Sequence, residues 1–386
     1  MWARPESERD TVPEFSLVSG GLVFRLLRRA KLAGTSIPVM RRRMVVTASI
    51  VWMPLLVLSF ADQRFLPGGP GVPFLQDIEA HARFLIALPL LIAAEAFVDD
   101  RVSPLVHRFV ERRIIAARDL PAFSAAVRAT TRACESLTVE LALIGVVYVG
   151  GVWLWRSELA LADPTWYARP VGGHLALTLA GHWYAFVSIP IFQFLLLRWY
   201  VRMTFWFHLL WRISRLPLHL AAAHPDGAGG IGFLGNSVYA FSPILFAQGT
   251  LLSGLIATRI LFGGQHFGAF NLYAAGLICA MVVFVLGPLL MFTPQLDRVR
   301  RKGVAAWGLL AMRELFAFEA QWRPADTEAL AHISRNFSNA RAMRVVPFAR
   351  DDVVRLVAVT AAPLLPLVLT MFSLREVLKW LVKVLF

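Results

Sequence analysis

The sequence predicts an all-α integral membrane protein, a helical bundle of six to seven transmembrane helices edged by amphipathic interfacial helices. Three observations carry this expectation. Hydrophobic residues make up 57% of the 386 and charged residues only 17%, with a mean hydropathy of +0.60, which leaves too little polar surface for a soluble chain of this length. Apolar runs of membrane-spanning length recur along the chain. Basic residues alternate in density from one connecting segment to the next.

A hydrocarbon core needs about 20 mostly apolar residues in helical form, and a helix satisfies its own backbone there. Residues 44–60, 83–98, 137–156, 175–197, 238–262 and 270–292 qualify, the second starting earlier, near Ile78. Residues 354–373 are a seventh segment that crosses fully or re-enters, since Pro363 and Pro366 suit a hairpin as well as a kink. Pro89, Pro190 and Pro288 each remove a backbone donor and crowd the preceding turn, so their spans should bend.

Around these spans the chain divides into four parts. Residues 1–43 form an N-terminal segment with a basic amphipathic helix at 21–32, and 44–292 the six-span bundle. Residues 293–353 are a helical segment, with patterns from Leu296 to Trp322 and from Asp326 to about Phe337. Residues 354–386 hold the seventh segment and an amphipathic tail. In that tail Arg375, Lys379 and Lys383 lie opposite Leu374, Leu378 and Leu381. Residues 199–216, WYVRMTFWFHLLWRISRL, read as a further interfacial stretch, because aromatic rings and Arg suit the headgroup layer.

Orientation follows from loop charge. Residues 1–43, 99–136, 198–237 and 293–353 carry nine, seven, four and ten Lys or Arg, thirty in all. The alternate segments 61–83, 156–174 and 263–269 carry two, two and none. The positive-inside rule then places the N-terminus in the cytoplasm. The net charge of +14 sits beside apolar runs, so the expected partners are the lipid bilayer and its anionic phospholipid headgroups, with no nucleic acid. The acidic start of the chain has no apolar core and is not a signal peptide.

Cys134 and Cys279 fit no metal or redox spacing. Clustered ligands and nucleophile–base pairs are both missing, so no catalytic residue, metal or cofactor is expected, and the chain does not read as an enzyme. His219, His224 and Asp226 have ligand chemistry, but Pro225 breaks any helix that would align them.

The most unusual local sequence is HPDGAGGIGFLGN at 224–236. His224, Asp226, Gly227, Gly229, Gly230 and Gly232 are the candidate functional loop. Dense glycine permits tight turns and close backbone approach, and exposed N–H groups before a helix can hold an anion. A nucleotide fold is excluded because a helix, not a strand, precedes the loop. If the loop packs on the bundle mouth, His224 and Asp226 should point toward Arg198, Arg202 or a bound anion. The bland reading is a capped turn.

Ionisable groups within spans are costly in lipid. Glu95, Glu140, Arg198 and Arg202 lie at one edge of the hydrocarbon, and ion pairing among them is the simplest expectation. His182 and Arg259 lie toward the other half. With Ser188, Gln193 and Gln248 they suggest a polar seam between the fourth and fifth spans.

The HPDGAGGIGFLG loop, RVVPF at 344–348 and the ending PLLPLVLTMFSLREVLKWLV resemble a family of bacterial polytopic inner-membrane proteins without assigned function. The resemblance implies a bacterial inner-membrane setting and no particular activity. From the intramembrane polar residues, the expected function is a solute or ion transport or channel component. The alternative is a membrane-anchored regulatory or scaffold protein acting through its larger loops.

Overall fold

The computed structural model describes residues 13–18, 20, 34, 36–67, 71–151, 165–171, 174–321 and 327–369. The basic helix expected at 21–32 and the amphipathic tail lie outside them. The chain is an all-α helical bundle, with one short hairpin among the described residues. In order the elements are α1 (Ile37–Ala61), α2 (Ile78–Glu111), α3 (Ala117–Cys134), α4 (Leu137–Gly151), β1 (Ala168–Val171) and β2 (His174–Leu177). There follow α5 (Leu179–Ser214), α6 (Phe233–Gly263), α7 (Asn271–Leu286), α8 (Thr293–Gln321), α9 (Thr327–Ala342) and α10 (Arg350–Ala361).

Among the described residues five helical runs are long and apolar enough to cross a membrane: α1, α2, α5, α6 and the continuous stretch Phe267–Phe316. The pair α3–α4, bent by 45°, makes a sixth if it counts as one span. This is a multi-pass membrane architecture. At a rise of about 1.5 Å per residue, the 34 residues of α2 and 36 of α5 exceed a hydrocarbon core of roughly 30 Å. The extra turns leave the bilayer as helix. The aromatic, Arg-rich stretch 199–216 is therefore the end of α5 rather than a separate surface helix, and Trp199, Met203, Trp206, Leu210 and Ile213 are buried along one side. The seventh expected segment is described only to residue 369. That part, α10 and the short turns after it, packs along α6 and α7 and is not among the runs long and apolar enough to cross.

Irregular turns accompany three of the prolines, whereas Pro54 and Pro104 sit within regular helix. The helices widen into π turns at Ala82–Ala87 in α2 and Tyr184–Ser188 in α5. Each lies just ahead of a proline, Pro89 and Pro190. A proline offers no N–H and its ring clashes with the carbonyl four residues back; a wider turn relieves both. The first turns after α7 narrow into a 3-10 segment at Gly287–Phe292, around Pro288.

The two ends of the bundle differ. At the hairpin end, β1 and β2 pair antiparallel, with Ala168 opposite Leu177, and Arg64 donates to the carbonyls of Thr165 and Ala168. At the basic end gather the extension of α2, α3, the 224–236 loop and the α8–α9 hairpin. Small residues allow close packing within the chain. A Cβ at Gly249 would run into the carbonyl of Thr360, and one at Gly254 would crowd Ala82 and Glu79, so α6 meets α10 through one and α2 through the other.

Candidate functional site

Arg198 and Arg202 are one helical turn apart on α5 and share a face. Opposite them on α2 is Glu95, only 7% exposed. Its Oε1 accepts from Arg198 Nη1 at 3.1 Å and Arg202 Nη1 at 3.3 Å, and its Oε2 accepts from Arg43 of α1. Arg198 Nη2 lies 3.4 Å from Glu140 Oε1 of α4. Arg202 also donates to the carbonyl of Val18 at 2.8 Å. The irregular segment Phe15–Val18 is itself tucked in, with Phe15 and Leu17 buried and Ser16 Oγ 2.6 Å from Asp99. Three guanidinium groups and two carboxylates thus tie four helices and the N-terminal segment together.

The structure brings together Glu95, Glu140, Arg198 and Arg202. Arg43 was missed, because three consecutive arginines before a span read as a topology signal. The available clue was geometric: Arg41, Arg42 and Arg43 point about 100° apart, so one of them faces the bundle, and a buried acid on a neighbouring span draws it in. Arg41 and Arg42 are exposed.

A cleft of about 490 Å³ opens between α2, α5, α6 and α7. One face of α5 supplies Ile189, Phe192, Gln193 and Leu196, and one face of α6 supplies Gln248, Leu251, Leu252 and Leu255. Both series follow the i, i+3, i+4, i+7 spacing of a single helical stripe, each with one glutamine among apolar residues. The mouth at the hairpin end holds Asp77, Glu79, Arg83, Tyr167 and Tyr184. Arg83 pairs with Glu79 and donates to Tyr184 Oη at 2.6 Å, so the two π turns meet through these side chains. Asp77 caps its helix by accepting from the Ala80 N–H at 2.9 Å, and accepts from Trp166 Nε1 at 2.8 Å. The Tyr167 and Tyr184 rings stack with centroids 5.3 Å apart. Burial, with help from Asp77 and Glu79, raises the Tyr167 hydroxyl above its ordinary pKa, against a smaller opposing pull from a hydrogen bond with Thr165.

The expected seam between the fourth and fifth spans is present only in part. Gln193 and Gln248 line the cleft. Ser188 is buried and donates instead to the Val51 carbonyl at 2.8 Å. His182 and Arg259 are exposed on the outside of their helices, and His182 turns back to its own Thr178 carbonyl at 2.8 Å. Of the mouth residues, Asp77, Glu79 and Arg83 lie at the boundary of the expected second span, where charge reads as loop, Tyr167 lies in a connecting segment, and Tyr184 lies inside the expected fourth span without a signal of its own.

The 224–236 loop is a fixed clasp. Gly227, Gly229 and Gly230 have φ of 64°, 67° and 101°, a region that side chains resist. This backbone turns the N–H groups of Ala228, Gly230 and Gly232 onto the Asp226 carboxylate, at 2.8, 3.1 and 2.9 Å. An internal carboxylate therefore fills the anion nest that the glycines make. His224 Nδ1 lies 2.9 Å from Asp226. Burial works against the charged carboxylate, yet the three N–H groups and His224 outweigh it and hold Asp226 below its ordinary pKa. The basic neighbours of the loop are Arg344, whose Nη2 donates to the Asp226 carbonyl at 2.9 Å and whose N–H donates to Gly227 at 2.8 Å, and Arg112. The expectation that His224 and Asp226 reach Arg198 or Arg202 does not hold, since those arginines are committed to Glu95, Glu140 and Val18.

No protein-family model, curated protein or solved structure matches the chain.

Proposed function

We propose that this chain is the membrane-embedded component of a solute or ion transport or channel system. In this reading the cleft receives the solute from the hairpin end, and the charge cluster closes the route to the basic end. One observation carries it: cleft and cluster lie in series on the same two helices. Arg83 precedes Glu95 by twelve residues on α2, roughly 18 Å of helix, and Gln193 precedes Arg198 by five on α5, about 7.5 Å. Ion pairs suit a gate because they hold firmly when matched and destabilise the closed form when one partner moves away. The setting we propose is a bacterial cytoplasmic membrane with the N-terminus inside, supported by the thirty-to-four imbalance of basic residues between alternate connecting segments. Exposed arginines such as Arg41 and Arg42 would then meet anionic headgroups.

The test is leakage. Purified protein in liposomes should be tight to small fluorescent dyes and ions, while Glu95→Gln, which strips three guanidiniums of a shared anion, should leak. Equal tightness of a folded Glu95→Gln protein would remove the gate.

A second reading, a membrane-anchored scaffold, has its own observation. Leu309, Met312 and Phe316 on α8 are 57%, 56% and 59% exposed and form an apolar stripe, a surface that partners commonly cover.

A further inference from the structure

We infer that the cleft binds a cationic single-chain amphiphile with a hydrogen-bond acceptor below its headgroup. As a substrate assignment this rests on the transport reading above; as a binding site it stands on the geometry of the cleft.

The charge at the mouth selects the head. Among the lining residues Asp77 and Glu79 face one guanidinium, Arg83, which leaves a surplus negative charge. The stacked rings of Tyr167 and Tyr184 line the same place, and aromatic faces attract quaternary ammonium groups. An anionic head would meet two carboxylates and find the guanidinium already engaged.

The walls select the tail. Ile189, Phe192, Leu196, Leu251, Leu252 and Leu255 present a continuous apolar surface, and Leu255 is 39% exposed at the rim. The cleft thus opens sideways between helices, where an amphiphile already partitioned into the membrane can enter. Its volume is within the roughly 300–1,000 Å³ of ordinary small-ligand sites.

Gln248 supplies the third element. It is 8% exposed, and its amide nitrogen is buried with no hydrogen-bond partner among the described residues. A buried donor left unpaired is costly, and native structures rarely keep one without a purpose. Gln248 lies six residues deeper on α6 than Gly254, which packs against Glu79. The Gln248 backbone is therefore about 9 Å deeper than that of Gly254 by helical rise, which puts the unpaired amide on the tail side of the mouth, where the acceptor beneath a headgroup would enter.

The experiment uses full-length protein in lipid nanodiscs and radiolabelled lauroylcholine, which has a quaternary ammonium, an ester carbonyl and one chain. Saturable binding at one per chain is expected. Dodecyl sulfate, with the opposite charge, and choline, without a chain, should each compete at least tenfold more weakly. Gln248→Leu removes only an unpaired group and should fold normally. It should weaken lauroylcholine about fivefold, the worth of one hydrogen bond, while leaving dodecyltrimethylammonium, which lacks the acceptor, unchanged. Leu255→Trp, at the exposed rim, should block both. Equal competition by dodecyl sulfate, or binding indifferent to both substitutions, would overturn the assignment. Binding without movement across a bilayer would sink the transport reading and leave the site standing. Flux of some solute with no lauroylcholine binding would do the reverse.

Discussion

Arg198 joins two carboxylates from different helices, its Nη1 3.1 Å from Glu95 of α2 and its Nη2 3.4 Å from Glu140 of α4. A guanidinium presents its donors in a rigid fork, so one side chain can hold both helices at a fixed spacing against α5. Lysine, a single point charge on a flexible stem, cannot. Removing one member of such a buried group leaves the others uncompensated, at roughly 3–5 kcal/mol. Arg198→Lys and Arg198→Leu should both lower thermal stability in detergent, the second more. The double variant Glu95→Gln/Arg198→Leu should be less damaging than the sum of its parts. Strict additivity would show that the two residues do not interact.

The 224–236 loop should behave as a clasp on the stretch after α9. Asp226→Ala leaves three N–H groups without their acceptor, costing about 1–3 kcal/mol, and Gly230→Val forces a branched side chain into a φ of 101°, at a similar cost. Either change frees the Asp226 and Gly227 carbonyls from Arg344. Trypsin should then cut after Arg344 several-fold faster than in the parent protein, while membrane insertion is unchanged. Parent-like proteolysis of both variants would mean that the clasp does not hold this stretch.

Acid should release the clasp late. The folded pKa of Asp226 is depressed, so its contribution is present above the ordinary carboxylate pKa of about 3.9 and is lost as pH falls through the lower folded value. Hydrogen exchange at the Ala228, Gly230 and Gly232 amides, corrected for the intrinsic pH dependence, should keep its protection from neutral pH down through 4. Protection already lost between pH 5 and 6 would show that the Asp226 carboxylate does not hold these amides.

Topology is open to direct measurement. Reporter fusions at residues 64, 165 and 266 should be active outside the cytoplasm, and those at 115, 228 and 320 inside it. Activity outside at 115 or 228 would overturn the orientation drawn from loop charge.

The helical class and most spans were legible because apolar length is a one-dimensional property. Pro89 and Pro190 marked places where the helix departs from regular α geometry, but not the π form of the departure, which depends on how each helix re-pairs its carbonyls. The cluster of Glu95 with Arg198 was legible from the cost of charge in lipid. Arg43 and the mouth residues Asp77, Glu79 and Arg83 were not, since a charge at a span boundary looks the same in sequence whether it faces water or a neighbouring helix. The glycine loop was legible in outline, as a capped turn or an anion nest, but not which anion fills it: the fold turns Asp226 back on the N–H groups of its own loop.

The central claim is that the cleft and the charge cluster are two parts of one route, open at the hairpin end and closed at Glu95. Two-sided cysteine labelling tests it most directly. In a Cys134→Ser/Cys279→Ser background, which removes both native thiols, single cysteines at Leu196 in the cleft and at Leu91, one turn before Glu95, are probed in sealed vesicles with a membrane-impermeant thiol reagent on one side at a time. Leu196→Cys should be labelled from the hairpin side only. Leu91→Cys should be protected from both sides until Glu95→Gln is added, and should then be labelled. Protection of Leu91→Cys in both backgrounds, with Leu196→Cys also unreactive, would contradict it and show a packed bundle with no route.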